Sequence, residues 1–513
     1  MRQAVFSCPG KRIPGRRTRI RSGSVTIYFC LMMVVLVSFF CASILSVKVA
    51  AGRMQAANSV DQSMFSLFAR YDRTLQSRYD LFFLDAGSGG GGPDLTACVT
   101  LLEEALEYGL KPNKGRAILG GRNLLRLKRE GSAVTAYTLA TDAGGIPFEA
   151  QAVQAARTSG TLDAVSLLKE KLTVRKDIES KGRELLEGSS DASYSDVQEA
   201  AQEAAEEAEE AEAEDGDDGA EEAEVSVPEG FINPLPVLYR LYRKKVMDVV
   251  VPDPGSISSG KADRKKLVSG RSLAGGMGVI DATGASDGLN DLYYIAWIIG
   301  HFGNYANPCK ESVLTYQMEY LLKGKYSDKD NLTAVVRDLM KVRHAANVLC
   351  LYTDAEKSSE LDLLAFFIGS VLFIPAAQPL IKAVLAVLWA YAESLVDVRA
   401  LLEGKKVALV KDRDSWQTDP EDLAAAGGEI GGLTRDIPGG ISYGEYLGTM
   451  ILVMQRRTLT ARAMDMVEAT VRGMGKEDFR LDACIGAMAV EIRIESEGKV
   501  TFPVKAELSY MDL

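Results

Sequence analysis

The pattern with the most obvious chemical potential is Gly284–Ala285–Ser286–Asp287–Gly288, a GxSxG sequence of the kind that presents a serine nucleophile at a strand-to-helix turn. Such a serine needs a histidine base, and the chain has two, His301 and His344. The preceding stretch, with Gly275, Gly276 and Gly278, is too glycine-rich for the central strand an elbow requires. A polar loop ending at a helix N-cap is the simpler reading. His301 follows an apolar helix and reads as a capping or core-edge residue. His344, between Arg343 and Ala345, reads as a helix-surface residue. Ser166–Lys169 and Ser258–Lys261 match the SxxK of penicillin-binding enzymes, but no KTG or SDN follows. Asp328–Lys329–Asp330–Asn331 resembles a calcium loop without its glycine and closing glutamate, so Asp330 or Asn331 reads as an N-cap before Leu332. Asp94, Glu103 and Glu104 are carboxylates without a defined pairing. The glycine run over residues 87–92 satisfies GxGxxG, as any such run does, and reads as a linker or loop. There is no HExxH, P-loop or CxxC sequence. Trp389–Ala390–Tyr391–Ala392–Glu393 and Trp416 read as packing anchors. No catalytic, cofactor-binding or metal-ligating residue is assigned, and no cofactor is expected.

The elements that carry these residues begin with a basic leader. Arg2, Lys11, Arg12, Arg16, Arg17, Arg19 and Arg21 precede any acid, and the uncharged apolar stretch Val25–Val47 follows. Twenty-three helical residues cover about 34 Å, enough to cross a hydrocarbon core of roughly 30 Å. The basic flank predicts a cytoplasmic N-terminus and an exported remainder. An uncleaved signal-anchor is the favoured reading. A cleaved signal has only a loose site after Val47, and a prepilin-type leader would be cut at Gly23–Ser24. Type IV pilins carry a glutamate five residues into the mature chain, where Tyr28 stands here. Beyond the span, Val60, Met64, Leu67 and Phe68 keep a 3–4 spacing, which predicts one helix face packed on something. Either one long helix or two successive ones would satisfy this pattern.

A 47% apolar content supports a true core, and the length allows two or three domains. Cys98, Cys309, Cys350 and Cys484 are too scattered for a disulfide scaffold, although a Cys309–Cys350 pair stays open. Net charge is −11, and residues 1–57 carry nine basic groups and no acid, so the rest is near −20. Such a polyanion argues against nucleic acid as a partner.

The predicted organisation is a basic leader at 1–23, a transmembrane helix at 24–48, a stalk helix and Gly-rich linker at 49–92, and a membrane-proximal helical region at 93–186. An acidic linker at 187–229 and a main exported domain at 230–513 follow. From Glu187 to Glu229 there are 18 acids and no base, the composition of a solvated, disordered linker. A strand is predicted over Ala133–Leu139, helices over Asn290–Gly300 and Leu332–Leu351, and a C-terminal β-hairpin from Ala489–Glu495 and Val500–Leu508. Leu361–Ala392 reads as a core helical hairpin broken at Pro375 and Pro379, with a second membrane span as the alternative. The fold class is helix-dominated α+β, with a long N-terminal transmembrane and stalk helix.

Gly23–Ser24–Val25–Thr26 and Arg53–Met54–Gln55–Ala56–Ala57–Asn58 resemble the N-terminal helix of TadE/TadG-like pilus-assembly proteins. Tyr320–Gly324 with Asp328–Leu332, Trp389–Glu393 with Asp397–Leu402, Tyr443–Leu447 and Phe479–Asp482 resemble a family of Tad-locus-associated anchored proteins of Gram-positive bacteria. The resemblance implies a non-enzymatic structural or accessory component of a Tad-like pilus or secretion apparatus. Its expected partners are the membrane and other Tad-type components, reached through the N-terminal helix with Gly52 and Ala56 as contact residues. The alternatives are a cell-envelope hydrolase or transferase, or a surface sensor or receptor with a ligand cavity.

Overall fold

The computed structural model describes residues 23–87, 89, 92–110, 125–160, 162–188, 195–203, 227–228, 230–278, 288–496 and 500–512. The glycine-rich run is described only in part, and the leader, most of the acidic tract and the β-hairpin tip lie outside these residues. In chain order, α1 (Gly23–Phe68) and α2 (Arg73–Tyr79) precede β1 (Leu84–Asp85) and α3 (Leu95–Leu110). Next come β2 (Lys128–Leu139), α4 (Ile146–Thr158), α5 (Leu162–Gly188) and α6 (195–203). Then follow α7 (Leu235–Arg243), α8 (Val246–Val250), α9 (Gly288–His301), α10 (Gln317–Lys323) and α11 (Asp328–Thr353). The chain ends with α12 (Ala355–Val371), α13 (Gln378–Leu402), α14 (Pro420–Ala425), α15 (Tyr443–Ile451), α16 (Arg456–Gly473), β3 (Cys484–Glu495) and β4 (Thr501–Ser509). The protein is therefore α+β and dominated by helices.

The chain divides into two compact units interleaved along the sequence. Unit 1 comprises Met1–Met64, Leu102–Ala133 and Glu491–Ala506; unit 2 comprises Phe65–Leu101, Val134–Val490 and Glu507–Leu513.

The apolar stretch and the stalk are parts of one unbroken helix, α1, of 46 residues, which belongs to unit 1 as far as Met64. Its apolar first half, from Val25 to Val47, stands almost wholly exposed. From Gly52 onward the helix becomes one-sided, with Ala56, Ser59, Val60, Ser63 and Met64 all buried. Gly52 permits a close approach, because a Cβ there would lie 3.4 Å from the Phe502 ring and 3.6 Å from Leu127. Arg53 stacks over the same Phe502 ring, and Gln55 donates to the Gly109 carbonyl of α3 at 3.1 Å. The face that carries Gly52 and Ala56 is thus filled by the chain's own residues.

Unit 2 is built around α11 and α13, whose side chains Leu339, Val342, Leu385 and Trp389 lie in its core. Pro375–Ala377 turns the chain between α12 and α13, so the expected helical hairpin forms. In the most apolar stretch of Pro375–Leu402, 67% of the residues are buried by protein, the environment of a core helix. α5 lies directly on α11 at Gly182, where a Cβ would meet the Ala345 carbonyl oxygen at 2.0 Å. Stacked Tyr294 and Trp297 anchor α9, and Trp297 donates its indole N–H to the Tyr79 carbonyl at 2.8 Å.

The strand order is β1–β3–β2, and β4 also pairs with β3. The expected strand ending at Leu139 exists and starts earlier, at Lys128. Leu84 and Asp85, read from sequence as the end of the stalk, instead pair antiparallel with Ile485 and Cys484. Two residues are too few to show strand periodicity, and their partners lie 400 positions away, so the pairing had no local signal. Within the acidic tract, 195–203 is helical and Val197 is buried. The cysteines of the described residues are all free, and no Cys309–Cys350 disulfide forms.

Candidate functional site

The sequence candidates are dispersed. Ser286 lies outside the described residues. His301 ends α9 with Nδ1 2.8 Å from the Trp297 carbonyl and Nε2 3.5 Å from Asp80, a core-edge position as expected. His344 departs from the surface role expected of it. It faces α13, with Nε2 2.9 Å from the Val387 carbonyl and its ring edge-on to Tyr391, and burial lowers its pKa. Ser258 donates to Asp328 at 2.6 Å, which commits it to a loop contact. Ser166 and Lys169 sit one turn apart on α5, as an ordinary helix places them. Asp94 accepts from the Ala97 amide at the start of α3, and Glu103 pairs with Arg129 at 2.7 Å.

The calcium-like segment opens α11, but the N-cap is Ser327, ahead of the residues expected to cap. Asp328 is fully buried and accepts from the Thr315 amide and hydroxyl at 3.0 and 2.9 Å. Asn331, equally buried, holds the Lys325 backbone through both its amide N–H and its carbonyl oxygen. Each polar group is spent on tertiary contacts, which a cap argument from sequence could not show. Among the described residues no cluster of three metal-ligating side chains occurs.

What the sequence reading missed is a set of charges inside unit 2. Glu393 and Asp397, one turn apart on the buried face of α13, meet Lys411 from the loop after α13 and Arg343 from α11. Lys411 donates to Glu393 at 2.5 Å and to Asp397 at 2.8 Å. Arg343 donates to the other Asp397 oxygen through Nη2 at 2.8 Å and Nε at 3.1 Å. All four side chains are sealed from solvent. The remaining capacity is filled by the Gln417 and Thr418 amides on Glu393 and the Ala408 carbonyl on Arg343. Burial alone would raise the Asp397 carboxyl, but the Arg343 and Lys411 cations hold it below the ordinary carboxylate range. Beside this set, Trp389 and Trp416 pack edge-on with centroids 5.5 Å apart, as packing anchors should. The chemical capacity here is structural, since two cations and two anions neutralise each other without an open face. The legible signal was Glu393 and Asp397 four apart in a largely apolar helix.

Another buried acid is less well matched. Glu319 of α10 accepts from the Tyr305 amide at 2.8 Å and the Tyr443 hydroxyl at 2.9 Å through Oε1, while Oε2 has no hydrogen-bond partner. Burial pushes its carboxyl up to about 7 against the lowering effect of those donors.

Unit 2 also holds open cavities. One of about 680 Å³ in unit 2 is lined by Phe65, Phe68, Tyr71, Phe82, Gln151 and Tyr510, among others, and is mainly apolar. Another of about 630 Å³ lies between α5, α11 and the end of α15.

These features define the class: a helix-rich α+β protein with a membrane-length N-terminal helix and a core cross-linked by buried charge. The chain belongs to DUF5702, a family of unknown function, whose profile matches residues 224–496. No curated protein and no solved structure matches it.

Asp397→Asn leaves Lys411 and Arg343 buried with reduced counter-charge and should lower the unfolding free energy by about 3–5 kcal/mol, read by chemical denaturation. For Glu319 the folded pKa lies above the unfolded one, so its contribution is complete below the unfolded pKa and fades as pH rises through about 7. Glu319→Gln should therefore lose less stability than wild type between pH 5 and pH 8 in thermal unfolding, an outcome checked by comparing the two slopes.

Proposed function

We propose that this protein is a membrane-anchored, non-enzymatic structural or accessory component of a Tad-like pilus or secretion apparatus, with its N-terminus cytoplasmic and its C-terminal region exported. The observation that supports the reading is α1. Its segment Val25–Val47 is mainly apolar, uncharged and almost wholly exposed, a surface that water tolerates poorly and lipid tolerates well. The basic leader ahead of it favours the stated orientation. The helix then runs without a break into a face buried by unit 1, so the span is rigidly joined to folded protein instead of hanging from a flexible tether.

Because Gly52 and Ala56 pack internally, contacts with other machine components fall to the apolar span and to exposed positions such as Met54. Tyr28, where a pilin carries glutamate, favours an accessory role over subunit polymerisation. The test replaces residues 25–47 with an unrelated apolar helix of the same length in the full chain. Membrane fractionation should be unchanged, while co-purification of Tad-type components should fall at least several-fold. Unchanged recovery of those components would refute recognition through the helix.

A further inference from the structure

The cavity between α5, α11 and α15 carries a charge that contrasts with the rest of the chain. Its lining holds Arg175, Arg183, Lys323 and Lys341 against only two carboxylates, Glu179 and Asp338. Glu179 already bridges Arg183 at 2.7 Å and Arg175 at 3.4 Å. Asp338 likewise serves Lys323 and, at 3.8 Å, Lys341. Four cations over two anions leave a local excess of two positive charges in a protein of net charge −11. His344, which also lines the cavity, adds no charge near neutrality because burial lowers its pKa.

The walls are of the opposite character. Leu322, Val342, Met450 and Met454 supply an apolar surface, and the two thioether side chains can adapt to an irregular occupant. Arg175 fixes the inner end: it is buried, donates to Thr449 at 3.1 Å, and lies over the Tyr446 ring, yet its Nε has no partner. A volume of about 630 Å³ falls within the ordinary range of small-molecule sites. Inorganic phosphate would match the cations and leave the walls unfilled, whereas a neutral lipid would fill the walls and leave the cations unmatched.

We propose that this cavity binds a fatty-acid-class ligand, an aliphatic carboxylate, with its tail against the Met450 and Met454 wall and its carboxylate at Lys341 and Arg183. These are the most exposed of the four cations, with side chains 73% and 63% accessible, so they can turn to an incoming anion at little cost. The site is independent of the anchoring role proposed above.

The test measures equilibrium binding of octanoate to the full chain in lipid nanodiscs, with empty nanodiscs as the blank. Octanol, acetate, inorganic phosphate and the dipeptide N-acetyl-Leu-Leu serve as competitors. Octanoate should saturate one site per chain, and each competitor should be at least about tenfold weaker. Lys341→Glu with Arg183→Glu should weaken octanoate by about tenfold or more, the loss expected when a charged hydrogen bond is removed. Lys341→Glu alone, at a highly exposed position, provides the same test should the double variant misfold. Several results would overturn the proposal: no saturable binding above the blank, octanol or phosphate equal to octanoate, a tighter dipeptide, or unchanged affinity in Lys341→Glu.

Discussion

Unit 2 depends on the four-charge set of Arg343, Asp397, Lys411 and Glu393. Two carboxylates in the middle of an apolar helix would be untenable in a dry core without cations of matching number and geometry. Their presence on α13 therefore dictates where α11 must lie, since Arg343 reaches Asp397 only if the two helices pack side by side. It also dictates the path of the loop after α13, which must return Lys411 to within 2.8 Å of Asp397 and bring the Gln417 and Thr418 amides to Glu393. Hydrophobic packing alone would tolerate small rotations of α13, whereas a charge left unmatched inside the core would not. The set thus acts as a register device for the central helix pair.

α1 obeys a different constraint, set by the change in its surface along its length. Its first half exposes apolar side chains on every side, and its second half buries a single face every three to four residues. One continuous helix can meet both demands because backbone hydrogen bonds stay internal throughout, in lipid or against protein. Buried polar groups of unit 2 such as Asp328 and Asn347 bond to neighbouring elements, while the cavity lined by Phe65, Phe82 and Tyr510 is walled mainly by apolar side chains.

Much of this was legible in the sequence wherever periodicity or punctuation is local. The 3–4 spacing of Val60, Met64, Leu67 and Phe68 marked the buried stalk face, the alternation through Val490, Ile492 and Ile494 marked β3, and Pro375 marked the hairpin turn. Features made by distant pairing were not legible. Arg343 and Asp397 are 54 positions apart, and β1 owes its existence to a strand 400 residues on. His344 looked like a surface residue because its own helix gives no sign that α13 covers it. Asp330 and Asn331 looked like cap residues although Ser327 caps the helix, and the buried role of Asp328 was hidden because its partners, Thr315 and Ser258, come from loops without a pattern. For function, the informative residues were the leader and the span, since short catalytic patterns carried no supporting context.

The native cysteines allow the central claim, that α1 crosses a membrane from the cytoplasm, to be tested directly. Cys30 and Cys41 lie in the exposed apolar half of α1, whereas Cys98, Cys309, Cys350 and Cys484 are buried in folded protein. Intact cells and opened membranes are treated with a membrane-impermeant maleimide, and the labelled positions are mapped. The account predicts that Cys8, in the basic leader, reacts only after the membrane is opened and that Cys30 and Cys41 stay protected in both states. Labelling of Cys30 or Cys41 in opened membranes, or of Cys8 in intact cells, would contradict it.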